Sequence, residues 1–423
     1  MTPRLHTLAN GVRVLFDPMP GLETLALSVM IDGGSRWEPD DRFGWSHLLE
    51  HMVFKGAGGR SAREIIETVE AAGAQINAAT GHERTSFQFR ALKGALDLGL
   101  SVTADLLFHP ALEAAELERE KDVIGQEIAE AYDTPDDHVF ELVQAKMYPD
   151  HPLGRPILGS NASLAPATPE AVESWRRALY APERMIVSVS GAVDEDELLS
   201  LTERYFGVAS ASGTRAAPPR KAEFVGGTAG ESRAIEQANL VWTVPAVATM
   251  DPDYFALRLF AEILGGGMAS RLFQEAREER GLAYSIDAWS DTYEDVGVLQ
   301  VFAGAAAGKA KGLSELVARE IRKLAEAGAA DAELARAKAQ VQSSLFMAEE
   351  SPLARAEIAA NRLFLYGRIP DAAEVRAEID AVTLADLKRL GGRMLDPRRS
   401  AAAVIGPKAA RGAPEAFEKA LFA

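Results

Sequence analysis

The sequence predicts two related α+β domains, each a sheet backed by helices. Three observations carry this expectation. Short runs of strand character at residues 12–16, 25–31, 86–92 and 185–190 alternate with longer stretches of helical period at 44–54, 62–72, 96–107 and 117–132. The stretch GVASASGTRAAPPRKAEFVGG (207–227) is rich in Gly, Ala, Pro and Ser and lacks the apolar period of a packed element, which marks a linker. Landmarks before it recur after it. APERM (181–185) and DPRRS (396–400) each precede an apolar run ending in glycine, so that Pro182 and Pro397, like Gly191 and Gly406, lie 215 residues apart. The helical string ELEREK (116–121) matches ELARAK (333–338) at an offset of 217. The expected division is a domain over 1–207, a linker over 208–227 and a related domain over 228–423.

Composition narrows the function classes. With 423 residues, 47% hydrophobic and 25% charged, the chain can bury two cores, and neither disorder nor a small disulfide scaffold fits. The charge balance of 45 against 62 leaves −17, which argues against a nucleic-acid partner and suits cationic ligands better. The absence of cysteine excludes disulfides, thiolate metal ligands and cysteine nucleophiles. The opening MTPRLHTLANGVRVLF lacks the charged segment and apolar core of an export signal, and the apolar run at 25–31 is far shorter than the roughly 20 residues that span a bilayer. A cytoplasmic protein without a membrane partner is expected.

All seven histidines fall within the first 151 residues, so only the first domain can build an imidazole site. In GWSHLLEHMVFKG (44–56), His47 and His51 stand four apart with Glu50 between them. At about 100° per residue, the three side chains of a helix here project within an arc of about 100°. Two neutral imidazoles on one face suit a divalent metal such as zinc, and a catalytic site needs a third protein ligand beside an open position. Glu50 suits proton transfer rather than ligation: it can take a proton from a water that the metal acidifies and pass it to a leaving amine. The third ligand must come from elsewhere, and the acidic segment 113–130 is the richest source. Glu116, Glu120 and Glu127 share a stripe there, a pattern that otherwise means a solvated acidic face. The repeat favours a site, because the matching positions of the second half are Ala337 and Ser344. His6, His109, His138 and His151 are expected in loops or on the surface, and His82 in a polar stretch.

Further strings complete a pattern: NGVRV (10–14), GSR (34–36), NAAT (77–80), EREK (118–121), QEI (126–128), GGGMASRLF (265–273) and REERGLAYS (277–285). Together with the inverted His-x-x-Glu-His order, they resemble the pitrilysin or insulinase-type zinc metallopeptidases, in particular the short bacterial two-domain type similar to the β subunit of mitochondrial processing peptidase. The resemblance covers nearly the whole chain. It implies mostly antiparallel sheets, the two domains forming half of a clamshell chamber that a homodimer, or a heterodimer, would complete. It implies one Zn²⁺ per chain on His47, His51 and Glu127, Glu50 as general base, and Glu120 as a supporting carboxylate. Arg277 and Tyr284 match the pair that binds the substrate backbone and the developing oxyanion. Asn77 and Ala78 match an edge strand to which a peptide adds. Phe87 stands where the family commonly has a tyrosine, and Ala79 where it often has an aromatic residue, which bears on substrate preference. The implied activity is hydrolysis of short or unfolded peptides. The alternative within the same fold is a non-catalytic or hetero-oligomeric subunit that binds peptide or serves assembly.

Overall fold

Central strands buried along almost their whole length build two main sheets, one in each of two compact units. The structure, a computed structural model, describes residues 3–210 and 216–423. One unit comprises Met1–Ile128, Pro156–Pro219 and Phe346–Asp371; the other comprises Ala129–Arg155, Arg220–Leu345 and Ala372–Ala423.

The first unit holds strands β1 (Arg4–Thr7), β2 (Arg13–Pro18), β3 (Thr24–Ile31), β4 (Gln75–Thr80), β5 (Thr85–Leu92) and β6 (Met185–Gly191) in the order β1-β2-β6-β3-β5-β4. Only the β2–β6 pair is parallel. The second unit holds β7 (Gly227–Ser232), β8 (Gln237–Ala246), β9 (Ser285–Thr292), β10 (Gly297–Ala306) and β11 (Ala401–Gly406) in the order β9-β10-β8-β11-β7, with β7–β11 parallel. Apart from β1, the two sheets have one topology, as the internal repeat requires.

Six helices bear on the site and its support: α1 (Trp45–Val53), α2 (Leu96–Phe108), α3 (Ala114–Asp133), α4 (Pro135–Met147), α5 (Asp331–Ala348) and α6 (Pro352–Tyr366). Residues of α1 and α2, among them Leu48, Met52 and Leu100, pack with Leu27, Val29, Phe87 and Phe89 of the first sheet. The other face of that sheet is covered by α6, which sets Ala359, Ala360 and Leu363 on Leu15, Met30 and Ile186. Arg355 of α6 donates two hydrogen bonds of 2.7 Å to Asp17, a carboxylate only 1% exposed that Ser190 also reaches. In the second unit the covering helix is α4, whose Val139, Val143 and Met147 meet Val241, Ala401, Ala403 and Ile405.

The units therefore differ from the contiguous halves 1–207 and 228–423. Residues 129–155 belong to the second unit and 346–371 to the first. The starts of α3 and α5, and those of α4 and α6, differ by 217 residues, so the exchanged helices are counterparts. An amphipathic period states that a helix buries one face but not which sheet receives it. Of the expected linker 208–227, residues 211–215 lie outside the described residues, and 216–226 have no regular structure. Ala222 and Phe224 are nonetheless buried in the second unit, so this part is anchored rather than free. Among the described residues no helix is long and apolar enough to cross a membrane.

The Asp17–Arg355 pair gives a test of the α6 contact. Arg355→Met leaves a buried carboxylate without its partner, and the loss expected in urea unfolding is about 3–5 kcal/mol. Adding Asp17→Asn should restore part of it.

Candidate metal centre

Helix α1 is fixed before any metal is considered. It starts at Gly44, whose φ is +88° and where a Cβ would fall 2.5 Å from the Cα of Gly159, so glycine alone fits. The buried carboxylate of Glu38 accepts from the backbone N–H groups of Gly44 and Ser46 at 2.8 and 2.6 Å, capping the helix where its dipole is positive. Trp45 donates to the Ser163 carbonyl at 2.9 Å, and Trp175 to the Ser46 hydroxyl at 3.3 Å. Leu48, Leu49, Met52 and Val53 are all buried. What remains half-buried on α1 is His47, Glu50 and His51.

The two imidazoles lie with ring centroids 4.6 Å apart. Glu127 of α3 faces them, its Oε2 at 3.8 Å from His47 Nε2 and 3.7 Å from His51 Nε2. Zinc bonds of about 2.0–2.2 Å place tetrahedral donors about 3.4 Å apart, so this set fits a divalent ion after shifts of a few tenths of an ångström. Among the described residues it is the only group of three such donors. On α5 the counterparts of Glu120 and Glu127 are Ala337 and Ser344, which cannot ligate.

Glu120, only 3% exposed, sorts the acidic stripe. Its Oε2 accepts from His51 Nδ1 at 3.0 Å and its Oε1 from Lys55 Nζ at 2.7 Å. An ionised carboxylate only accepts, so His51 carries its proton on Nδ1 and leaves Nε2 for a ligand. Glu116 pairs with Arg119 instead and does not join the site. His47 Nδ1 is buried without a hydrogen-bond partner, and burial, reinforced by His51, lowers its pKa to about 4. His47 is thus neutral and ready to ligate near pH 7. Glu50 is no ligand. Burial raises its pKa above the ordinary carboxyl value, while a hydrogen bond from Thr80 and the nearby His51 pull it back and Glu127 adds to the rise.

The other predicted residues are placed differently. Asn77 is exposed on β4, the edge strand of its sheet, whereas Ala78 is 6% exposed with its methyl in the core, so only its backbone can meet a ligand. In the second unit Arg277 is exposed on a π-helical segment, Phe273–Glu279, its guanidinium 4.7 Å from the Phe273 ring centroid. Tyr284 is 60% exposed just before β9, with its backbone N–H held by the Gly304 carbonyl at 2.8 Å. An apolar context would put this ring in a core, yet it stands in solvent. His138 corrects the expectation of a loop or surface residue, for it is buried on α4 between Glu141 and Glu231; His151 lies in a loop as expected, though buried, against the Arg220 carbonyl. His82 pairs with Ser35 at 2.9 Å rather than joining the donors. Sequence reasoning missed Glu38, Lys55 and Thr80 as supports; Lys55 and Thr80 lie inside quoted motifs, but their targets are set by tertiary contact.

Comparison with known proteins follows this geometry. A family model described as Insulinase (Peptidase family M16) matches residues 13–161, and one described as Peptidase M16 inactive domain matches 166–341. The chain belongs to the M16 peptidase family. Among M16 relatives, the "Uncharacterized zinc protease YmxG" of Bacillus subtilis (strain 168) is 34% identical over 402 residues, covering 95% of this chain and 98% of its own. An "Uncharacterized zinc protease" of Rickettsia felis is 34% identical over 409 residues, covering 96% and 98%. A protease from Helicobacter pylori shares the fold with a TM-score of 0.88 at 22% identity, over 96% of this chain and 99% of that one. A Pseudomonas fluorescens structure titled peptidase M16 inactive domain gives 0.89 at 20%, over 97% and 99%. The M16 fold thus spans both units; the family model described as inactive falls on 166–341, which holds no histidine, whereas the structure titled inactive domain aligns with nearly the whole chain.

Two outcomes test the centre. Glu120→Gln should weaken Zn²⁺ binding about 10–100-fold, measured by competition with a chromogenic chelator. In the metal-free protein, His47 with its pKa of about 4 lies below the unfolded value of 6.5, so the unfolded chain binds more protons between these limits. Stability should therefore fall as pH drops below about 6.5 and level off near 4, by about 2–4 kcal/mol. Denaturant unfolding across this range should lose that component in His47→Gln.

Proposed function

We propose that the chain is a zinc-dependent peptidase that hydrolyses short or unfolded peptides, with one Zn²⁺ per chain on His47, His51 and Glu127. The observation that carries this reading is a three-donor set, His47 and His51 on α1 with Glu127 on α3, beside the carboxylate of Glu50 on the same rigid α1. A scaffold needs neither. The ion would supply Lewis acidity, polarising a peptide carbonyl and acidifying water at the open position. Glu50 then takes the proton of the attacking water and delivers it to the leaving nitrogen; its raised pKa suits both transfers. Glu120 holds His51 in the ligating tautomer. Arg277 and Tyr284, exposed and without competing core contacts, are the donors proposed for the substrate backbone and the oxyanion. The outer edge of β4 at Asn77 and Ala78 is the proposed docking strand, where backbone pairing gives affinity without demanding one sequence. The −17 balance favours cationic peptides. A homodimer in the cytoplasm is the economical assembly, since one chain carries both the ligand set and the Arg277/Tyr284 pair. The non-catalytic reading would leave the retained Glu50 without a use.

Cleavage of a quenched peptide library, read beside metal content, tests this. Glu50→Gln should keep about one zinc per chain and lose turnover at least 100-fold; unchanged cleavage would remove Glu50 from the mechanism. Tyr284→Phe should lower kcat about 100-fold with metal content unchanged, as expected for a lost oxyanion donor.

A further inference from the structure

We propose that Thr80 is the positioning residue of the general base, an inference that rests on the peptidase reading above. Thr80 ends the edge strand β4, and its hydroxyl donates to Glu50 Oε2, with the Ser46 carbonyl at 3.5 Å as a weaker second acceptor. The Thr80 backbone adds a second hydrogen bond to Glu50, so side chain and main chain of one residue hold the carboxylate. The Thr80 hydroxyl thus fixes the carboxylate at Oε2. The hold is stiff. Thr80 is β-branched, which restricts χ1, and its backbone is paired with Thr85 of β5. Ala78 and Thr80 share the inward face of β4, while Asn77 and Ala79 lie on the opposite, exposed one. The strand whose outer edge is offered to a peptide is therefore the strand that aims the base. At about 3.3 Å per residue, the stretch 77–80 spans roughly 10 Å, a short and rigid link between peptide register and the reacting oxygen.

The test uses the full chain and three variants: Thr80→Val, which keeps the shape and loses the donor; Thr80→Ser, which keeps the donor; and Glu50→Gln. Two readouts are taken. One is the carboxylate stretch of Glu50 in metal-free, ¹³C-glutamate-labelled protein, identified by its loss in Glu50→Gln. The other is steady-state peptide cleavage by the zinc-loaded protein, with metal content measured. Thr80→Val should shift the Glu50 band and lower kcat about tenfold with KM and zinc unchanged, a part of what the whole base contributes; Thr80→Ser should restore both. If Thr80→Val does not fold, Thr80→Ala takes its place. An unmoved band, an unchanged kcat, a change in KM alone, or a Thr80→Ser variant as impaired as Thr80→Val overturns the proposal. Failure of the peptidase reading looks different: the band responds to Thr80, yet zinc-loaded wild type cleaves nothing. That result keeps the contact and overturns its catalytic use.

Discussion

The burial of α1 is the constraint on which the site depends. Four of its side chains and both neighbouring tryptophans are committed to the core or to hydrogen bonds, so the helix can neither roll nor slide. Its one free face then has a fixed content. Two imidazoles one turn apart and the carboxylate beside them point where the buried face does not, and α3 needs only to bring Glu127 within reach. The capping of α1 by a buried glutamate serves the same end, since fraying of the first turn would release His47.

Charge balance supplies the second constraint. Around the donors stand the carboxylates of Glu50, Glu120 and Glu127 and one ammonium, Lys55, with the His47 imidazole neutral. Three negative charges and one positive leave minus two when Glu50 is ionised. A divalent cation cancels that sum. The raised pKa of Glu50 comes first from burial, and the neighbouring Glu127 adds a smaller share. Lys55 matters here because it offsets the most buried carboxylate of the set, so the deficit stays with the groups that face the open side.

How much of this was legible in the sequence follows from which interactions are local. The His47–His51 spacing fixes their common face through helix geometry alone, and the structure keeps it. From the residue pattern alone Glu127 was one of three acids on a stripe, and only the family resemblance singled it out; in the structure Glu116 is paired with Arg119 and Glu120 with Lys55. The repeat foretold two sheets of one topology. It could not foretell that α4 and α6 change places, because an apolar face is indifferent to the origin of the surface that covers it. His138 was misjudged for a related reason: a histidine in an acidic stretch takes its burial from distant neighbours, here Glu231.

The exchange of helices has a consequence for how the protein comes into being. A ribosome releases the chain from its N-terminus, and domains commonly fold as they emerge. Here the first unit is missing α6 until residue 371 has appeared, although every donor of the metal set is in place by residue 127. During most of synthesis the sheet face carrying Asp17, Leu15 and Met30 stays uncovered. The nascent unit must wait for the second repeat to be made before it can finish the first.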